Sequence, residues 1–290
     1  MSKKPFLTVG LPFYNANKFL KYAIQSTLNQ SFSDFELILL NDGSTDSSLE
    51  IARSFKDDRI VVISDGDNKG LAYRLNQISQ LANGKYLARM DSDDIMHVDR
   101  LKIQFEYLSL NENIDLLGSN AFVIDNNNKI YGKMSVLKYP SSSEDVYSNK
   151  CFIHPTITGK TKWFQNNQYN IEAIRMEDAE LWSRTISTSN FSNLNIPLLY
   201  YRQAGTPYLS KYLKSQKGFR KILRKEDTNK TKLLFYSYFK SLAFIIITIL
   251  GIQKYFFNKK FNNISEDIIN KEQKKINIYF SKYKNIKHIE

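Results

Sequence analysis

Short apolar runs alternate with amphipathic segments over the first 120 residues. Phe6–Leu11 is an apolar run ending at Pro12; Phe35–Leu40, Ile60–Ile63 and Lys85–Met90 repeat the theme. Between them Phe19, Leu20, Ala23, Ile24, Thr27 and Leu28 recur at helical spacing. Leu49, Ala52 and Phe55 do the same after Asp46, which can cap that helix, and Leu71–Leu81 and Val98–Leu110 also read as helices. Buried strands separated by such helices predict a parallel, doubly wound α/β sheet.

The pattern changes near residue 115. Leu116–Ile124 and Lys129–Met134 are β-like runs around Asn126-Asn-Asn, which predicts a hairpin. Ser141–Glu144 reads as a turn into a short helix, Glu177–Ile186 as a helix and Leu198–Arg202 as a strand. Beyond Gly205 the chain is rich in lysine and aromatic residues and helical in tendency. The expected organisation is residues 1–210 as one α/β unit, its ligand-binding half 1–115 and a second half 116–210, followed by a helical region over 211–290.

Charge follows the same boundary. The chain carries 41 Lys+Arg and 29 Asp+Glu, a net +12. Residues 1–210 hold 22 against 23 (−1), and residues 211–290 hold 19 against 6 (+13). A near-neutral body with a basic tail points to an anionic partner: nucleic acid, an acidic membrane surface or a phosphorylated substrate. One cysteine, Cys151, excludes an intramolecular disulfide framework, and the three histidines argue against a histidine-only metal site. No apolar region of signal-peptide length follows Met1, so a cytoplasmic body is expected. The longest apolar stretch, Leu242–Ile252, is eleven residues, short of the roughly 20 needed to span a bilayer. Widened to Leu233–Phe257 it gains Lys240, Lys254 and aromatic flanks, which suit a membrane interface; a buried core helix is the alternative.

The chemistry is concentrated at the strand ends. Pro12-Phe-Tyr-Asn15, Asn41-Asp-Gly-Ser-Thr-Asp46, Asp65-Gly-Asp-Asn-Lys-Gly70 and Asp91-Ser-Asp-Asp94 lie where an open parallel sheet binds ligands. Three of the four carry carboxylates, which repel one another unless a cation holds them. Hard oxygen ligands select Mg²⁺ or Mn²⁺, commonly with a diphosphate. No glycine-rich phosphate loop is present, so metal rather than a loop is expected to grip the phosphates.

These segments, with DNKGLAYRLNQ (67–77), GKYLARMDSDD (84–94), HPT (154–156) and MEDAELWSR (176–184), resemble glycosyltransferase family 2 over residues 6–202. The resemblance implies the GT-A fold and inverting transfer from a nucleotide-diphosphate sugar, with UDP favoured by the family's habit. It implies Pro12, Tyr14 and Asn15 bordering the base, Asp42 holding base or ribose, and Arg74 near the nucleotide. Asp91 would touch the ribose and Asp93 the metal bridging the diphosphate, while Asp94 caps the next helix or braces the site. Asp178 is expected to be the catalytic base with Glu177 second, since an inverting transfer needs a carboxylate at the acceptor hydroxyl. His154 reads either as an acceptor-side residue or as a buried structural histidine, and Trp182 as helix core. Many family members carry a histidine after the Tyr-Arg of the last strand. Here the segment is Tyr200-Tyr-Arg-Gln-Ala-Gly-Thr206, which leaves two readings: Arg202 contacts the phosphate instead, or the diphosphate and water complete the metal's shell, with the leaving UDP stabilised by the metal and Arg202 or Lys211.

The implied partners are a UDP-sugar and a glycan or lipid-linked acceptor, on the inner face of the cell membrane. A polyprenyl-phosphate acceptor, which needs no base, is the alternative within the enzyme class. A nucleic-acid-binding protein is the alternative outside it. That reading is disfavoured: no nucleic-acid motif is present, and the strand-end carboxylates repel phosphate. Because every implied site residue precedes residue 205, truncation there is expected to free the protein from membranes while sparing the nucleotide site.

Overall fold

The computed structural model describes residues 5–203, 209–225, 231–252 and 264–281. Four parallel strands form one half of a sheet in the order β3-β2-β1-β4: β1 (Leu7–Phe13), β2 (Phe35–Asn41), β3 (Ile60–Ser64) and β4 (Tyr86–Arg89). β1 is buried along its whole length, which is why it reads as a continuous apolar run rather than an alternation. Helices cover both faces. Leu20, Ala23 and Ile24 of α1 (Leu20–Leu28), Ala52 of α2 (Ser48–Ser54) and Leu101 of α4 (Arg100–Leu110) pack on Leu7, Leu37 and Leu39. Leu75 and Ile78 of α3 (Leu71–Leu81) pack on Ile38 and Leu40, on the opposite side.

The other half of the sheet is mixed, in keeping with the change of pattern near residue 115. β6 (Leu116–Ile124) runs antiparallel to β8 (Thr158–Lys160), which is itself antiparallel to β4. β9 (Phe191–Arg202) is parallel to β6, and β5 (Ile95–Met96) closes the far edge antiparallel to β9. The expected hairpin is present: β7 (Ile130–Met134) pairs with β6. The short helix after Ser141 is α5 (Ser143–Tyr147), started by a capping box in which Ser142 and Asp145 satisfy each other's backbone. A single 3₁₀ turn, His154–Thr156, leads into β8. α6 (Thr161–Asn166) and α7 (Glu177–Thr185) then build an aromatic core in which Trp182 sits edge-on to Phe152, with Trp163 beside it. Trp182 is thus core, as expected. Asp46 accepts from the backbone of Ser48 and of Asn17, so it serves the start of α2 and also fastens the loop after β1.

Three further helices are described: α8 (Leu209–Lys225), α9 (Thr231–Ile249) and α10 (Glu266–Ser281). α9 is inverted relative to a soluble helix. Its buried residues are Ser237 and Ser241, which face Arg220 and Gln216 of α8, whereas Phe235, Phe239, Leu242, Ile246 and Ile249 are exposed. The apolar stretch is therefore not a buried core helix. The amphipathic residues before Leu242 extend it to 19 residues, and by length and composition this one described helix suffices to cross a membrane. Residues 253–257 of the expected interfacial segment lie outside the described residues.

α10 returns to the sheet. Ile276 packs with Ile130, Phe122 and Tyr200, Glu272 accepts from the Tyr200 hydroxyl at 2.9 Å, and Gln273 bonds to the backbone of Asn128 and Ile130. Part of the basic region is thus structural support for β7 and β9. Truncation near residue 205 would strip those contacts, which counts against the expectation that it spares the site.

Candidate active site

β2 ends at Asn41, and Gly43 turns the chain at φ +71 with the Asp67–Asn68 backbone where a Cβ would lie, so only glycine fits. This places the Asp42 carboxylate, 6% exposed, against the Lys69 and Gly70 amides at 2.8 and 3.0 Å. Gly70, at φ +87, then opens α3. Asn15, also left-handed at φ 46, accepts from the Thr45 amide at 2.8 Å and so ties the end of β1 to the same turn.

Arg74, one turn into α3, is fully buried, and each of its five N–H donors has a protein acceptor. Nε donates to Asp42 at 2.7 Å, Nη1 to Asp65 and Gln77 at 2.8 Å, and Nη2 to Asp65 at 2.7 Å and to the Asp67 carbonyl. These bonds hold the Asp65 carboxyl far below the usual range, with Lys69 assisting. The structure thus makes Arg74 the brace of Asp42 and of the 65–67 loop; it lines the cleft at the strand ends but has no donor to spare for a ligand.

The acidic turn follows β4. Carboxylate oxygens of Asp91, Asp93 and Asp94 lie within 4.8 Å of one another. Asp94 is 1% exposed; its Oδ1 accepts from the Arg202 amide at 2.7 Å, while Oδ2, equally buried, has no partner among the described residues. Burial, then the charges of Asp93 and Asp91, push Asp94 well above the normal carboxylate range. Desolvation and the Asp91 charge also push Asp93 up to about 6. Three hard oxygen donors that repel one another, one with an orphaned lone-pair side, fit a divalent cation.

Arg202 lies behind this turn rather than in front of it. Its Nε donates to the Asp93 carbonyl at 2.6 Å, Nη1 to the Asp125 carbonyl at 2.5 Å and Nη2 to Asn128 at 2.6 Å, with the guanidinium 4.1 Å above the Phe19 ring. Placed so, it supports the Asp93 backbone, and it is not among the residues that line the cleft beside Asp91 and Asp93. Lys211 lies on α8.

Pro12, Tyr14, Asn15, Asp42, Arg74, Asp91 and Asp93 all line one cleft of about 820 Å³. Asp178 and Glu177 stand on the first turn of α7, outside that lining. Asp178 accepts from its neighbour's amide, Ala179, at 2.7 Å, and its other oxygen lies 3.9 Å from Nδ1 of His154. His154 meets the Tyr169 hydroxyl through Nε2 at 2.9 Å, and burial together with nearby Arg89 holds its pKa far below normal, so it is neutral at pH 7. It is a buried histidine, as one of the two sequence readings had it, and it stands beside Asp178. Burial raises both Asp178 and Glu177, the latter further through Asp178.

The residue the sequence reading missed is Arg89, the last of β4. It is 5% exposed, pairs with Asp91 at 2.5 Å, and keeps Nε and Nη1 without hydrogen-bond partners among the described residues. Burial opposes its charge, but Asp91, Tyr169, Asp178 and Asp94 outweigh burial and leave its pKa raised. The same charge draws Asp178 back toward the ionised form. Arg89 thereby links the acidic turn electrostatically to the carboxylate on α7. A lone arginine closing an otherwise apolar strand was the available signal.

The chain is similar to known proteins in both sequence and fold. The sequence pattern described as "Glycosyl transferase family 2" matches residues 8–176. An uncharacterized glycosyltransferase of Methanocaldococcus jannaschii is 34% identical over 222 residues, covering 74% of this chain and 76% of the relative. The Escherichia coli UDP-Glc:alpha-D-GlcNAc-diphosphoundecaprenol beta-1,3-glucosyltransferase WfgD is 27% identical over 88% of this chain and 96% of its own. Among solved structures, Staphylococcus aureus TarS 1–349 in complex with UDP superposes with a TM-score of 0.58 at 19% identity, covering 78% of this chain and 68% of that one. The mannosyltransferase PcManGT from Pyrobaculum calidifontis, in complex with GDP-Man and Mn²⁺, gives 0.56 at 15% identity, covering 82% and 70%. Fold and relatives define a glycosyltransferase built on the GT-A fold. The chain belongs to glycosyl transferase family 2.

Proposed function

We propose that this enzyme transfers a sugar from a UDP-sugar to an acceptor hydroxyl with inversion at the anomeric carbon. The proposed setting is cell-surface or lipid-linked glycan synthesis on the inner face of the cell membrane. The observation that supports this best is the gathering of the strand-end residues around one cleft, with Asp178 coupled through Arg89 to the acidic turn. The names of relatives support the donor and setting: one uses UDP-Glc and a diphosphoundecaprenol acceptor, another is an O-antigen biosynthesis glycosyltransferase. UDP in TarS supports the same nucleotide, and the exposed apolar face of α9 with its basic surroundings supports membrane contact.

In this reading Asp42 accepts from the base or ribose, and Pro12, Tyr14 and Asn15 form the wall beside it. Asp91 and Asp93, with Asp94 behind them, hold Mn²⁺ or Mg²⁺. The cation, when bound, neutralises charge on the diphosphate. Asp178 takes the acceptor hydroxyl's proton as that oxygen bonds to the anomeric carbon and the bond to the diphosphate oxygen breaks, releasing the nucleoside diphosphate. Neutral His154 positions Asp178 without competing for the proton, and Glu177 acts second. Arg74 and Arg202 keep Asp42 and the acidic turn in place.

The test is Asp178→Asn with donor binding and transfer measured separately. Donor binding stays, and transfer falls about 10²–10⁴-fold, as expected for loss of a general base. Near-wild-type transfer would remove Asp178 from this role and favour an acceptor that is already an anionic phosphate.

A further inference from the structure

A second cavity, of about 320 Å³, is lined in part by Asp178. One wall comes from the transferase body: Cys151, Met176, Asp178 and Trp182. The other comes from the helices added after β9: Tyr212 and Gln216 of α8 with Tyr236, Ser237 and Lys240 of α9. Arg175 borders both this cavity and the nucleotide cleft. It is held at φ +64, a left-handed conformation that is strained for a non-glycine residue and recurs at functional sites. A hydroxyl entering the second cavity is thus bounded by Asp178, and Arg175 marks where the two spaces meet.

The wall from α9 is chemically divided. Tyr236, Ser237 and Lys240 fall on one face by helical spacing, toward the cavity, while Phe235, Phe239, Leu242 and Ile246 stand exposed. The Lys240 ammonium rests 4.4 Å from the Tyr236 ring centroid, and among the described residues neither it nor Arg175 forms an ion pair with a carboxylate. The cavity therefore offers two cations, amide and hydroxyl groups and a base, and it stands beside an apolar surface open to a lipid.

We infer that this cavity is the acceptor site and that it takes a glycan carried on a lipid through a phosphate or diphosphate. The phosphate lies against Lys240 and Arg175, the sugar hydroxyl at Asp178 and the lipid along the outer face of α9. The inference rests on the proposed role of Asp178 and adds to it the class of acceptor and the residues that recognise it. Charge complementarity supports this occupant: residues 211–290 carry 19 basic against 6 acidic residues, a net of +13.

The experiment uses full-length protein in neutral-detergent micelles and fluorescent polyprenyl diphosphate, which needs no knowledge of the sugar. Lys240→Glu should weaken its binding about tenfold or more, the scale of one charge-assisted contact, and Lys240→Arg should retain it. UDP binding in Mn²⁺ should be the same in all three proteins. Unweakened binding by Lys240→Glu overturns the inference. So does equal binding of uncharged polyprenol, or displacement of the probe by inorganic diphosphate at the same concentration, since either would mean that lipid and phosphate are not read together. Loss of UDP binding in Lys240→Glu also overturns it, because Lys240 lies outside the nucleotide cleft. A wild-type protein that binds UDP but not polyprenyl diphosphate refutes this site and leaves the proposed sugar transfer standing; a wild-type protein that binds polyprenyl diphosphate but not UDP does the reverse.

Discussion

Replacing Arg74 by methionine keeps the volume of a fully buried side chain and removes five hydrogen bonds. Asp42, 6% exposed, then loses its only guanidinium partner among the described residues but keeps the Lys69 and Gly70 amides. Breaking a buried ion pair by removing one member costs about 3–5 kcal/mol. The two remaining amides place this case near the lower end, about 3 kcal/mol, a large share of a typical total stability of about 5–15 kcal/mol. With a urea m-value of about 3 kcal/mol per molar, the midpoint should fall by about 1 M. Trp163 and Trp182, both in the core beside α3, report the transition by fluorescence. The measurement is made without nucleotide. Adding Asp42→Asn should recover part of the loss, because the stranded charge is then gone. A midpoint within about 0.3 M of wild type, or strict additivity of the two substitutions, would refute the bracing role and return Arg74 to the nucleotide.

Asp93→Ala should abolish metal-dependent UDP-sugar binding while the far-ultraviolet circular dichroism is unchanged; equal affinity in Mn²⁺ would refute the cation site. Transfer by the wild type should fall as pH drops through the Asp178 pKa. Burial raises that pKa, so the ionised base is lost at a higher pH than for an ordinary aspartate, and Arg89→Met, by removing a charge that favours the carboxylate, should move the acid limb higher still. An acid limb at the same pH in both proteins would separate Arg89 from the base. Phe239→Glu with Ile246→Glu, both on the exposed face of α9, should abolish flotation with anionic vesicles and leave UDP binding intact. Undiminished flotation would locate membrane contact elsewhere.

The first four strands and their helices were legible because β1, β2 and β4 are buried almost throughout, and the half-exposed edge strand β3 is still an unbroken run of Ile and Val. β5 and β8 were not, since two and three residues show no period; their pairing is set by β9 and β4 instead. The start of β9, Phe191–Ile196, was hidden because its middle is half-exposed and polar and its pairing with β6 slips register there. The residues of the cleft were legible as motifs, but their division of labour was not. Whether an arginine faces a ligand or a neighbour depends on partners far away in sequence, as when Arg202 finds Asp93 and Asn128, 109 and 74 residues distant. α9 starts at Thr231, two residues before the widened segment Leu233–Phe257; its apolar run looks short because Ser237, Lys240 and Ser241 interrupt it on the side that faces α8.

The return of α10 to β7 and β9 means that α8 and α9 lie between two points fastened to the sheet rather than on a tail. Cutting that connection once discards both its contents and its closing contacts; excising it and rejoining the ends keeps the latter. A flexible linker of about 15 residues has a typical end-to-end reach of about 20 Å. Shortening a loop of roughly 60 residues to that length lowers its closure cost by about 1 kcal/mol, at about 0.6 kcal/mol per halving. A chain with α8 and α9 removed in this way should fold with its sheet edge intact and bind UDP as the full chain does, a comparison that no terminal truncation allows; lost UDP binding would show that these helices also support the cleft.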